Sequence, residues 1–218
     1  MKKLFLCCLL LSTSLAYSQE SALGNWLLYF GNMQINSKLN WHNEVQYRSY
    51  NAIDDLEQLL LRTGIGYNLS ENNNNVLLGY GYILSENYVS GGDEKEQVHE
   101  NRIYEQFITK QHFGRVSLQH RYRFEQRFIE SNFKMRFRYF LGLNIALNHK
   151  EMVDKTLYIS AYNEIFLNTS GTIFDRDRLY GGLGYRISPA IRFELGYMVQ
   201  FFTSASRDQL NIVAFIGF

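Results

Sequence analysis

The chain has 218 residues, with 22 Lys and Arg against 21 Asp and Glu, so its near-neutral charge argues against nucleic acid or an acidic partner and its length fits one domain. Mean hydropathy is −0.26 although 16 Tyr and 16 Phe are present, and no apolar run after residue 18 approaches the ~20 residues of a membrane helix. The two cysteines, Cys7 and Cys8, lie inside an early apolar run, which leaves no thiol further on for a disulfide or a metal site.

Residues 1–18 read as a secretory signal peptide: Lys2 and Lys3, an apolar run over 4–11, then the small-residue pattern Ala16-Tyr17-Ser18 before Gln19. Residues 19–218 are then expected to form a single barrel domain. Alternation begins at Gly24, with Trp26, Leu28 and Phe30 on one parity, and pauses near Asn36-Ser37-Lys38. Over residues 39–50, Trp41, Val45 and Tyr47 oppose His42, Glu44, Gln46 and Arg48. Residues 51–55 form a loop, and residues 59–69 set Leu61, Ile65 and Tyr67 against Arg62, Gly64, Gly66 and Asn68 before the turn signal SENNNN. Val76, Leu78, Tyr80, Tyr82 and Leu84 make the next apolar face, with Gly79 and Gly81 behind it. Residues 85–97 are too charged for a membrane and read as a long external loop.

Further strands are expected over 98–109, 115–128, 133–148, 157–168, 174–187, 191–202 and 209–218, with short joins at 110–114 and 188–190. The regular hairpin within 115–147 carries Tyr122, Phe124 and Phe137 on one face and Arg121, Arg123, Glu125, Arg127, Arg136 and Arg138 on the other. A turn at 129–132 puts Phe128 opposite Phe133, Glu125 opposite Arg136, Arg123 opposite Arg138 and Arg121 opposite Phe140. Eleven strand-like segments are present. Since bacterial single-chain barrels have even strand numbers, the expectation is an all-β, antiparallel transmembrane barrel of ten strands, with residues 24–36 as an extra segment; twelve is the alternative. Counting back from a periplasmic C-terminus puts the short joins inside and residues 85–97 outside.

The inward parities supply a lumen network. Its acids are Glu44, Glu100, Glu125, Glu164 and Glu194, and its bases are Arg48, Arg102, Arg121, Arg123, Arg127, Arg136, Arg138, Arg178, Arg186 and Arg192, with Arg176 as a further base. Inward glycines such as Gly79, Gly142, Gly182 and Gly184 leave room for long side chains reaching across. Such a lattice keeps a polar interior satisfied, because a buried charge is tolerated only when paired. Alternatively, the surplus of arginine lines a path or pocket for a small anionic solute.

Catalytic signals are sparse. His42 faces inward, His99, His112 and His149 lie near strand ends or turns, and His120 falls on the outward parity with no clear serine partner. The rim pairs Asp54-Asp55 and Asp175/Asp177 read as solvated acids, with a lipopolysaccharide or Ca²⁺ contact as the other option. Gly181-Gly182-Leu183-Gly184 lacks the following helix of a dinucleotide loop. No cofactor and no bound metal is expected.

Taken together, HENRIYEQ at 99–106, HRYRFEQRF at 120–128, RFRYFLGLN at 136–144, YNEIFLN at 162–168 and DRDRLYGGLGYRIS at 175–188 resemble a bacterial family common in Bacteroidetes, catalogued as domain of unknown function 2490. The resemblance implies an outer-membrane barrel and carries over no catalytic residue. The expected partners are outer-membrane lipid and lipopolysaccharide, and the barrel assembly machinery through a last strand ending at Phe218. The expected role is non-enzymatic, as a narrow channel or an interaction barrel; the alternative is a membrane-embedded hydrolase acting on lipid or peptide at the extracellular rim.

Overall fold

A strand with one apolar and one charged face can satisfy both faces only if its sheet separates two environments, and a sheet leaves no unpaired edge only by closing on itself. The computed structural model, which describes residues 23–70, 73–89 and 92–218, has that form. The expected signal peptide lies outside the described residues. Eleven strands follow in chain order: β1 (Gly24–Gln34), β2 (Leu39–Ser49), β3 (Leu56–Asn68), β4 (Asn74–Tyr88), β5 (Lys95–Phe113), β6 (Val116–Ile129), β7 (Asn132–Ala146), β8 (Thr156–Asn168), β9 (Phe174–Arg186), β10 (Ile191–Phe201) and β11 (Ser206–Gly217). Each pairs with its chain neighbour in antiparallel register, and β1 closes the barrel on β11.

The closing pair is parallel, running from Gly24 opposite Gln209 to Asn32 opposite Gly217. The segment at 24–36 is therefore a full stave, and the strand number is odd rather than the expected ten. Period-two alternation carries no information about strand direction, so a parallel closure is as compatible with the pattern as an antiparallel one. Eleven strands also put the ends apart. Gly24 sits with the joins at 50–55, 130–131, 169–173 and 202–205, here called the N-terminal rim, while Phe218 sits with those at 35–38, 114–115, 147–155 and 187–190, the C-terminal rim.

The expected long loop at 85–97 is mostly strand, because β4 and β5 stay paired through Ser85 opposite Val98 to Tyr88 opposite Lys95. Backbone hydrogen bonds continue past the point where the side chains turn polar. The longest of the joins just given is 147–155, on the C-terminal rim, so loop length does not distinguish the two ends. The β6–β7 hairpin has the register read from its sequence, with Phe128 opposite Phe133, Glu125 opposite Arg136, and Arg123 opposite Arg138. Its turn is Glu130-Ser131, with Glu130 at φ 48°.

Outward positions are apolar and exposed, as at Leu61, Leu78, Phe137, Leu179 and Leu195. Inward positions are layered along the axis. Aromatics cross the middle of the bore: Tyr104, Tyr158 and Tyr180 are almost fully buried, and Trp26, Tyr180 and Met198 form one cluster with Leu28 and Tyr162 against it. Phe140 packs on Tyr162 at 5.0 Å and Tyr162 stacks on Tyr180 at 4.7 Å. Glycines on neighbouring strands admit these rings: a Cβ at Gly79 would overlap Tyr104, and one at Gly184 would overlap Tyr158. Arginines and carboxylates fill the bore between this aromatic layer and the N-terminal rim.

Candidate functional site

Alternation sends every second residue of each strand into a bore where water is scarce, so its charged side chains must find partners across strands. Arg62 of β3 lies opposite Glu44 of β2 and pairs with it at 2.5 Å. Arg102 and Arg127 face each other on β5 and β6, and Glu100 bridges them, accepting from both guanidiniums. Glu125 binds Arg136 and Arg138, each at 2.6 Å, and Glu164 binds Arg138 and Arg121, each at 2.7 Å. The opposed pair Arg123 and Arg138 is thereby relieved: Arg138 is held between two carboxylates, while Arg123 donates to Gln106 and stacks over Tyr104 at 4.4 Å. A β-bulge between Phe166 and Leu167 lets Asp175 reach Arg136 at 2.6 Å.

Not all of the expected network residues join this lattice. Among the described residues Arg48 has no carboxylate within ion-pair distance; it donates to Gln46 and Gln58 and stacks over Trp26 at 3.8 Å. Arg178 donates to Gln200, lies 3.7 Å from Glu164, and covers Trp26 from 5.0 Å. Arg186, Arg192 and Glu194 are near the other rim. Arg186 donates to the backbone oxygens of Met152 and Ser188, Arg192 stacks over Phe215 at 3.9 Å, and Glu194 accepts from Tyr158 at 2.8 Å. The lattice also takes in Arg62 and Asp175, the latter no solvated rim acid but an ion-pair partner of Arg136 and Arg176, and the pair Arg207–Glu57 at 2.5 Å stands beside it. Arg62 was legible from its inward parity; Asp175 was not, because the bulge reverses local parity.

Eight arginines from β2, β3, β5, β6, β7 and β9 converge on one cavity of about 50 Å³, completed by Gln58, Leu60 and Phe166. Among the described residues, no carboxylate is on its wall. The acids grip these arginines from behind.

At the N-terminal rim, Asp55 binds Lys95 at 2.5 Å and accepts from the Tyr88 hydroxyl at 2.8 Å. Desolvation raises its pKa, but the hydrogen bonds from Lys95 and Tyr88 outweigh it and hold the carboxyl below its usual 3.8. Asp177 accepts from Asn163 at 2.9 Å. His120 meets the hydroxyl of Tyr139 at 2.9 Å, and His99 that of Tyr82 at 2.7 Å. His42 lies 3.5 Å from Glu44, and His112 lies 3.0 Å from Ser117 at the C-terminal rim.

A family profile described as a protein of unknown function, DUF2490, matches residues 23–211, which take in β1 to β10 and the first half of β11. No curated protein and no solved structure matches the chain.

Proposed function

The chain belongs to the DUF2490 family of proteins of unknown function, and from that premise we propose that it is a non-enzymatic outer-membrane barrel with a blocked bore, serving as a binding or interaction barrel rather than an open channel. The observation that carries this reading is the inversion of the barrel: charged side chains inside, and an apolar exterior that exposes residues such as Leu78 at 61% and Leu195 at 56%. Soluble monomers rarely expose contiguous apolar patches beyond a few hundred Å². A closed barrel with such an exterior is satisfied by lipid, and every strand has at least 11 residues, enough to cross a bilayer when tilted. The blocked bore is supported by Tyr104, Tyr158, Tyr180 and Met198, which close the middle with 2% exposure or less.

In this reading the exterior takes outer-membrane lipid and lipopolysaccharide. The last strand, ending near Phe218, engages the barrel assembly machinery, and the Phe218 rim faces the periplasm. The experiment is reconstitution of the folded chain into planar bilayers, together with fractionation of expressing cells. The expected result is recovery with the outer membrane, an electrophoretic shift on boiling, and no sustained current steps. Recovery in the soluble fraction would overturn the placement, and steady conductance would overturn the blocked bore.

A further inference from the structure

We infer that the arginine chamber beneath the N-terminal rim is a binding site for one free tetrahedral oxyanion of the phosphate or sulfate class. Its wall is mostly guanidinium, contributed by six strands. Among the described residues, the carboxylates within ion-pair distance of these eight guanidiniums are Glu44, Glu100, Glu125, Glu164 and Asp175, and Glu164 is shared further with Arg121. Among the described residues no carboxylate lies within ion-pair distance of Arg48, which is held by two glutamines and the face of Trp26. A chamber left this way concentrates uncompensated positive charge where water is scarce, a costly arrangement that an anion relieves.

The donors point to the same conclusion. Among the described residues, the Nε–H of Arg62 is buried with no hydrogen-bond partner and that of Arg176 has only a 3.4 Å approach to Asp175 Oδ2, and both residues line the chamber. A buried donor without a partner is costly, and here one bare donor and one poorly served donor lie in the wall of one cavity. The orientation of the wall is set before any ligand arrives. Glu44, Glu100 and Glu125 fix the guanidiniums of Arg62, Arg102, Arg127, Arg136 and Arg138 from outside the cavity, so binding costs little side-chain ordering.

Size selects the ligand. About 50 Å³ is room for a few water molecules or one small oxyanion, and too little for a nucleotide or a sugar phosphate. Several planar forks around a point match a tetrahedral group with four acceptor oxygens, which chloride cannot reproduce. Access is from the N-terminal rim: side-chain exposure falls from 28% at Arg176 and 14% at Arg127 to 5% at Arg138 and 4% at Arg62. The layer of Tyr104, Tyr162 and Tyr180 lies beyond, so the chamber is a dead end rather than a stage in a pore.

The test is calorimetric titration of inorganic phosphate into the full chain folded in detergent micelles, in chloride buffer at constant ionic strength. Sulfate and glycerol 3-phosphate are titrated in parallel. One saturable site is expected for phosphate and sulfate, with glycerol 3-phosphate at least tenfold weaker. Arg176→Gln at the mouth and Arg48→Gln should each weaken phosphate at least fivefold, while Arg48→Gln keeps its unfolding midpoint in chloride. No saturable binding by the native chain would overturn the proposal, as would phosphate binding unchanged in both variants. Equal affinity for glycerol 3-phosphate would overturn the assignment to a free oxyanion. If a variant fails to show the folded electrophoretic form, the native titrations still decide. Because the measurement is made in micelles, its failure is distinct from a failure of the membrane placement.

Discussion

Two kinds of single residue hold the interior together, carboxylates that serve more than one arginine and glycines that admit a ring. Glu125 is fully buried between Arg136 and Arg138. Removing its charge leaves two guanidiniums short of a partner, so Glu125→Gln should destabilise the barrel by about 3–5 kcal/mol, read as a lowered urea midpoint in micelles. Gly79 lies against the Tyr104 ring, whereas nothing is within 4 Å of a Cβ at Gly181. Gly79→Ala should therefore cost about 1–3 kcal/mol by overpacking, and Gly181→Ala should leave the midpoint within error. At the rim, Asp55 has a depressed folded-state pKa, so the stability it adds is complete above its unfolded value near 3.8 and is lost as pH falls through the lower folded value. Proteolytic nicking of residues 50–55 should increase on acidification below about pH 4, and Asp55→Asn should show the high nicking rate already at neutral pH.

At the scale of strands, the seam between β1 and β11 is the only parallel pair among the described residues, and parallel ladders are slightly weaker per residue. Amides of β1 should exchange with deuterium sooner than those of β5 and β6, a difference that mass spectrometry of peptic fragments will read. Period-two alternation made the strands legible because side-chain direction follows directly from backbone pleat. The hairpin register was legible as well, since a tight turn between Phe128 and Phe133 leaves one pairing. Three things were not. The direction of closure is invisible to alternation; the extension of β4 and β5 to Tyr88 and Lys95 depends on backbone pairing that polar side chains do not reveal; and the contact of Arg136 with Asp175 spans β7 to β9 through a bulge. The candidate network was legible as a composition of inward arginines and glutamates, while the choice of partners, such as Arg121 with Glu164 two strands away, depends on how far each side chain reaches across the bore.

For the molecule as a whole, polarity is layered along the axis: arginine and carboxylate near one rim, aromatic rings in the middle, and Arg186 and Arg192 near the other rim. That gradient makes the barrel asymmetric although its strands are alike. The odd strand count adds a second asymmetry. Because Gly24 and Phe218 stand on opposite rims, a bilayer around the barrel sorts whatever is joined to them into different compartments. A peptide tag inserted before Gly24 should be cut by protease added to intact cells, and one fused after Phe218 should survive until the envelope is opened. An even-stranded barrel would yield the same answer for both tags. In the proposed membrane placement, eleven staves carry the polypeptide from one side of the bilayer to the other, so it can tether an attachment on each side through a single chain.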